Sequence, residues 1–185
     1  MKLLEVRHLL TYQCNYKCKH CYLSADGKKD NSQLNYEVIY NFYNHFKPTI
    51  VSATGGEPLL KYDTVKNIAS VLNMYGGKME LVTNGFLLTK NVVEELGYLN
   101  PNVFYQISLD GNKEKHNFMR NNIRAYDRAI ESIYLASRQY KTKVRMTVTD
   151  NNLHDINDVI KVVESLGTPN ITLVMRPVIT KGRAK

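Results

Sequence analysis

The stretch "RHLLTYQCNYKCKHC", residues 7–21, runs an apolar segment directly into Cys14, Cys18 and Cys21, the only three cysteines among 185 residues. Residues 7–13 read as a strand, so the cysteines open the loop that follows it. Three cysteines crowded this tightly are a site, not a scatter. Their spacing is C-x3-C-x2-C. Closed zinc sites take four ligands, and iron–sulfur clusters are normally held by four thiolates. Three thiolates on a cubane leave one iron without a protein ligand, free to take a small molecule. Zinc is the competing reading, because His20 lies between Cys18 and Cys21 and can complete a set of four. Adjacent residues such as His20 and Cys21 seldom reach one metal from one loop, so the loop favours iron–sulfur. A purely structural trio fits the spacing least.

Outward from this loop, apolar β-branched runs alternate with helix-period segments. Strands are expected at 49–54, 79–84, 102–110, 143–150 and 170–178. Helices are expected at 33–46, 62–75, 89–99, 125–140 and 153–167. In the first helix Leu34, Val38, Phe42 and Phe46, with Ile39 and Tyr43, recur at steps of three and four. Thr89 is an N-cap candidate, and Gly76-Gly77 and Gly167 suit helix ends. Six strands with five intervening helices imply right-handed βαβ units and a parallel α/β sheet. A closed eight-stranded barrel needs about 250 residues, so a partial (β/α)6 TIM-like barrel is the expected fold. Ligands of such sheets bind at the carboxyl ends of the strands, where the cysteine loop sits.

Composition is that of a soluble globular chain, 43% hydrophobic and 23% charged. No apolar run approaches the ~18 residues of a membrane span. "MKLLEVRHLL" is interrupted by Glu5, Arg7 and His8 and does not read as a signal peptide. A cytoplasmic location follows, and cysteines in a reducing compartment favour metal binding or catalysis over disulfides. The net charge of +8 suits an anionic partner, but basic residues are spread along the chain. The one dense run, the terminal "TKGRAK", reads as a tail or a cut end; no nucleic-acid motif is evident.

Several segments together resemble the radical S-adenosylmethionine (radical SAM) superfamily. "CNYKCKHCY" at the end of the first strand is similar to that family's cysteine signature. "ATGGEPLL" follows the second strand, "VTNG" (82–85) the third, "ISLDG" (107–111) the fourth, then "KEKHNFMR" (113–120), and "RPVITKGRA" (176–184) the sixth. The resemblance implies a [4Fe–4S] cluster on Cys14, Cys18 and Cys21, with S-adenosylmethionine chelating its open iron. It implies that Gly55, Gly56, Glu57 and Pro58 form the turn that holds the cofactor's amino group. Glycines there allow close backbone approach, and Pro58 stiffens the turn. By the same resemblance Ser108 is a cofactor-contacting hydroxyl. Arg120 is the candidate for the cofactor carboxylate, with Arg124 as alternative. His20 and Tyr22 are placed near the adenine, with Thr83 and Asn84 at the third strand's end. Arg176 is a candidate cavity residue, and Asp110-Gly111 reads as a turn.

The family's chemistry is reductive cleavage of the cofactor to a 5′-deoxyadenosyl radical, which takes hydrogen from substrate. The electron comes from a low-potential donor such as flavodoxin or ferredoxin. "SLDG…H…R" and "RPVITKGRA" look most like the peptide- and protein-modifying branch. That branch usually continues into a cysteine-rich SPASM or twitch domain. Residues 1–185 are expected to be the radical SAM core alone, either cut before such an extension or minimal and self-sufficient. The competing functions are a radical SAM activase or small-molecule enzyme, and a non-catalytic zinc- or nucleic-acid-binding module.

Overall fold

The computed structural model describes residues 4–28 and 35–184. Six strands form one sheet in the order β1-β2-β3-β4-β5-β6. They are β1 (Glu5–Leu9), β2 (Ile50–Thr54), β3 (Lys78–Thr83), β4 (Val103–Ser108), β5 (Thr142–Val148) and β6 (Ile171–Pro177). Every neighbouring pair is parallel. β1 and β6 each pair on one side only, leaving an open seam between them, the partial barrel that the alternating pattern implies.

The helices are α1 (Tyr36–Phe46), α2 (Tyr62–Asn73), α3 (Lys90–Leu99), α4 (Lys113–Arg120), α5 (Ala125–Ser137) and α6 (Ile156–Ser165). Their apolar faces bury the outer side of the sheet, with Val51, Leu81, Tyr105, Ile107 and Val144 fully enclosed against Ile68, Leu72, Leu96 and Ile133. Each such aliphatic or aromatic side chain contributes about 1.5–3 kcal/mol by leaving water. Sequence signals for the ends hold in detail. Thr89 caps α3, its hydroxyl accepting from the Val92 N–H. Gly76, at φ +76°, turns the chain out of α2.

Three expectations need correction. The first strand ends at Leu9 rather than 13, because Thr11 and Gln13 leave the sheet to receive the second loop. There the Gly56 N–H donates to the Thr11 carbonyl and the Glu57 N–H to that of Gln13. The polar segment 113–120 forms α4, which the apolar pattern misses. Its inward side is His116 and Arg120 as well as Met119, so no apolar stripe announces it. On α1 the core residues are Ile39 and Tyr43, whereas Val38, Phe42 and Phe46 are about half exposed. Leu34 lies outside the described residues.

Candidate functional site

Strand alternation fixes which side chains face the barrel interior, since partners in a parallel register share a face. Ser108 pairs with Arg145 and Val82 with Gln106 in neighbouring strands. These four, with Thr54 and Thr147, line a cavity at the carboxyl ends of the strands. Cys14, Cys18 and Cys21 line the same cavity. So do His20, Tyr22, Gly55, Gly56, Thr83, Asn84 and Arg120. Glu57 and Pro58 do not reach it; both are buried in the wall behind.

The cysteine loop is held on three sides. On one side Cys14 N–H donates to Asp26 O at 2.7 Å, closing the loop's two ends on each other. On a second, Lys19 N–H donates to Met119 O at 2.9 Å, tying the loop to α4. On the third, the segment read as a tail is a clamp. Gly182 sits on the loop at φ +62°, where an added Cβ would lie 2.6 Å from the carbonyls of Cys21 and Tyr22. Arg183 donates from Nε to Cys18 O at 2.8 Å and from Nη2 to Ala25 O at 2.6 Å.

Gly55 and Gly56 act first on the protein itself. A Cβ on Gly55 would stand 2.6 Å from Thr11 O, and one on Gly56 would overlap the Gln13 carbonyl. Their small size lets the second loop press against the strand that leads into Cys14. The N–H groups of Gly56 and Glu57 are bonded to Thr11 and Gln13 and so are committed within the protein. Glu57 anchors the turn from behind. Its carboxylate accepts from Leu59 N–H, Thr83 Oγ1 and Asn84 N–H at 3.2, 2.8 and 2.9 Å. Burial pushes its carboxyl up to about 7 against those hydrogen bonds.

Asp110, read as part of a turn, is instead the centre of a buried polar network. It accepts from Arg120 Nε at 2.7 Å and from Thr147 N–H at 3.0 Å, and His20 Nε2 lies 3.5 Å away. Burial raises its pKa, but Arg120 and the two nearby histidines, His20 and His116, outweigh that and hold it at about 2. Arg120 is thereby committed to Asp110, with Nη1 3.9 Å from Cys18 Sγ. Burial, aided by Arg120, lowers His20 to about 4, so its ring is neutral at ordinary pH. Arg124 is exposed and lies over the Phe86 ring.

Arg145 was not singled out by the sequence. It is half-buried in the cavity beside Ser108, and its Nε is enclosed with no hydrogen-bond partner among the described residues. Burial first, then the positive fields of Arg176 and Arg7, lower its pKa. A lone arginine within "KVRMTVTD" carries no signal until the sheet register shows which way it faces.

The donor set fits an iron–sulfur cluster. All three cysteines are free thiols at one cavity. Among the described residues no group of three His, Cys, Asp or Glu side chains is already drawn together around a single-ion site. Burial pushes the Cys14 thiol up to about 12 and raises Cys18 as well, so a metal must displace their protons. Tyr16 N–H already donates to Cys14 Sγ at 3.3 Å, and Asn84 Nδ2 lies 3.9 Å from it.

The family model of the Radical SAM superfamily matches residues 9–163. The chain belongs to this superfamily. Fe-coproporphyrin III synthase of Methanosarcina barkeri is 25% identical over 88% of this chain and 41% of its own length. The antilisterial bacteriocin subtilosin biosynthesis protein AlbA of Bacillus subtilis is 29% identical over 85% of this chain and 36% of its own. SuiB of Streptococcus suis, solved with S-adenosylmethionine, superposes with a TM-score of 0.79 at 18% identity, over 96% of this chain and 42% of its own. At that identity the likeness is one of fold. The radical SAM chain spans less than half the length of these proteins. The superfamily is one of enzymes, and its cofactors are a [4Fe–4S] cluster and S-adenosylmethionine.

Proposed function

We propose that this chain is the cofactor-binding core of a radical SAM maturase acting on a peptide or protein. The observation that carries the radical reading is the meeting of three free thiols, the Gly55–Gly56 turn and Arg145, whose Nε has no hydrogen-bond partner among the described residues, in one cavity. Cys14, Cys18 and Cys21 would hold the cluster, which would supply the electron for reductive cleavage of S-adenosylmethionine to the hydrogen-abstracting radical. The chain's own residues bind and orient. Gly55 and Gly56 offer carbonyls to the cofactor's ammonium group. Ser108 and Arg145, side by side, suit its carboxylate; Arg145 fits that role better than Arg120, whose charge Asp110 already neutralises. His20 and Tyr22 would flank the adenosyl part, and Thr83 and Asn84 line the same cavity. Arg120 and Arg183 hold the cysteine loop in place.

The peptide substrate is supported by the motif series and by AlbA among the relatives. SuiB, whose fold this chain shares, has also been solved bound to its precursor peptide SuiA. Among the described residues no helix is long and apolar enough to cross a membrane. A cytoplasmic location with a flavodoxin or ferredoxin as electron donor completes the proposal. A small-molecule substrate is the second reading, favoured by the tetrapyrrole enzyme among the relatives. The test is anaerobic reconstitution followed by reductant-dependent cleavage of S-adenosylmethionine with candidate peptides or tetrapyrroles present. A peptide that accelerates cleavage and changes mass supports the maturase. Acceleration by a tetrapyrrole alone overturns it in favour of the second reading.

A further inference from the structure

The barrel interior holds more positive charge than its own carboxylates balance. Register pairs Arg7 with Ser52, whose own partner on the next strand is Glu80, and Arg176 with Thr147, all on the inward face. Glu80 is already engaged, accepting from Ser52 Oγ at 2.6 Å and from Lys143 Nζ at 2.8 Å. Asp110 is engaged by Arg120. Glu5 stands two positions below Arg7 on the same strand face. Among the described residues none of Arg7, Arg145 and Arg176 forms an ion pair with a carboxylate. Arg7 and Arg176 are exposed, and they stand on the two strands that border the open seam. Both lie close enough to Arg145 for their fields to act on it. Guanidinium groups on one inward strand face repel each other unless an anion enters between them. On the proposed function, Arg145 would take the cofactor carboxylate. The pair at the seam is left for the substrate.

Resting on the maturase reading, we propose that Arg7 and Arg176 grip carboxylate groups of the substrate as it enters the seam, so that the modified peptide is acidic next to the reacting residue. Guanidinium forks are suited to carboxylates, and an exposed pair selects charge and orientation more than raw affinity.

The test is fluorescence anisotropy with the reconstituted full chain carrying S-adenosylmethionine. The probes are a labelled glutamate-rich peptide, its glutamine counterpart and a lysine-rich peptide. The glutamate peptide should bind roughly tenfold tighter than the glutamine one, the sum of two exposed ion pairs, with the difference shrinking in high salt. Arg7→Gln and Arg176→Gln should each lose roughly threefold of that preference. The double variant Arg7→Glu/Arg176→Glu should prefer the lysine peptide, a gain that a misfolded chain cannot produce. Equal binding of the glutamate and glutamine peptides, or a preference unchanged in the double variant, overturns the proposal. If the glutamine peptide binds equally well and is modified, the maturase reading survives alone. If neither peptide binds, but a propionate-bearing tetrapyrrole binds in an Arg7- and Arg176-dependent way, the carboxylate site stands and the peptide reading falls.

Discussion

Arg183 joins two carbonyls of the cysteine loop, Cys18 O and Ala25 O, that are seven residues apart in the chain. Hydrogen bonds from a charged donor contribute about 1.5–3 kcal/mol each, so Arg183→Ala should loosen the loop by at least one such bond. The expected result is faster amide exchange across residues 18–26 and less iron retained after desalting, with the barrel's own exchange unchanged. Arg120 is a different case. It is paired with Asp110 in the interior, and Arg120→Met would strand a buried carboxylate at a cost of about 3–5 kcal/mol in denaturant unfolding. Asp110→Asn added to that variant should restore part of the loss. The pair also sets an acid limit. With its folded pKa at about 2 against an ordinary 3.8, Asp110 stabilises the fold fully above 3.8 and less as pH falls toward 2. Acid unfolding of the wild type should show this loss between those values, and Asp110→Asn should lack it.

Elements differ in how plainly the sequence announces them. The strands at 50–54, 78–83 and 103–108 are apolar and enclosed by helices, so their runs are unmistakable, and the Thr89 cap and Gly76 turn mark their neighbours. α4 escapes because its buried face is polar and its start depends on Asn112, whose side chain accepts from Lys115 N–H. Asn112→Ala should cost about 1 kcal/mol in stability if that cap holds the helix. The site shows the same division. The cysteine spacing and the glycine pair are legible because chemistry and sterics restrict those positions to one residue type. Arg145 and Arg183 are not, because one depends on strand register and the other bonds only to backbone carbonyls, which leave no mark on sequence. Glu57 joins the two categories, being part of a readable motif but working as a brace between the loops after β2 and β3. Glu57→Gln would turn an amide donor toward either Asn84 N–H or Thr83 and Leu59, losing about 1–3 kcal/mol by thermal unfolding.

At the scale of the molecule, six parallel strands bring one loop apiece to the same end and leave one side open. Cysteines after β1, glycines after β2, Asn84 after β3, and Ser108 and Arg145 near the ends of β4 and β5 meet there although they are scattered over more than a hundred residues. The segment after β6 folds back on the first loop and ties the last strand to the first at the cysteine end. On the proposed function, three thiols hold a cubane whose fourth iron is kept for S-adenosylmethionine. This claim is tested most directly by anaerobic reconstitution with iron and sulfide, metal analysis, and electron paramagnetic resonance of the reduced chain with and without S-adenosylmethionine. About four irons per chain are expected, lost in Cys14→Ala, with a cluster signal that changes when S-adenosylmethionine is added. One zinc per chain without iron, or a cluster signal indifferent to S-adenosylmethionine, would contradict it.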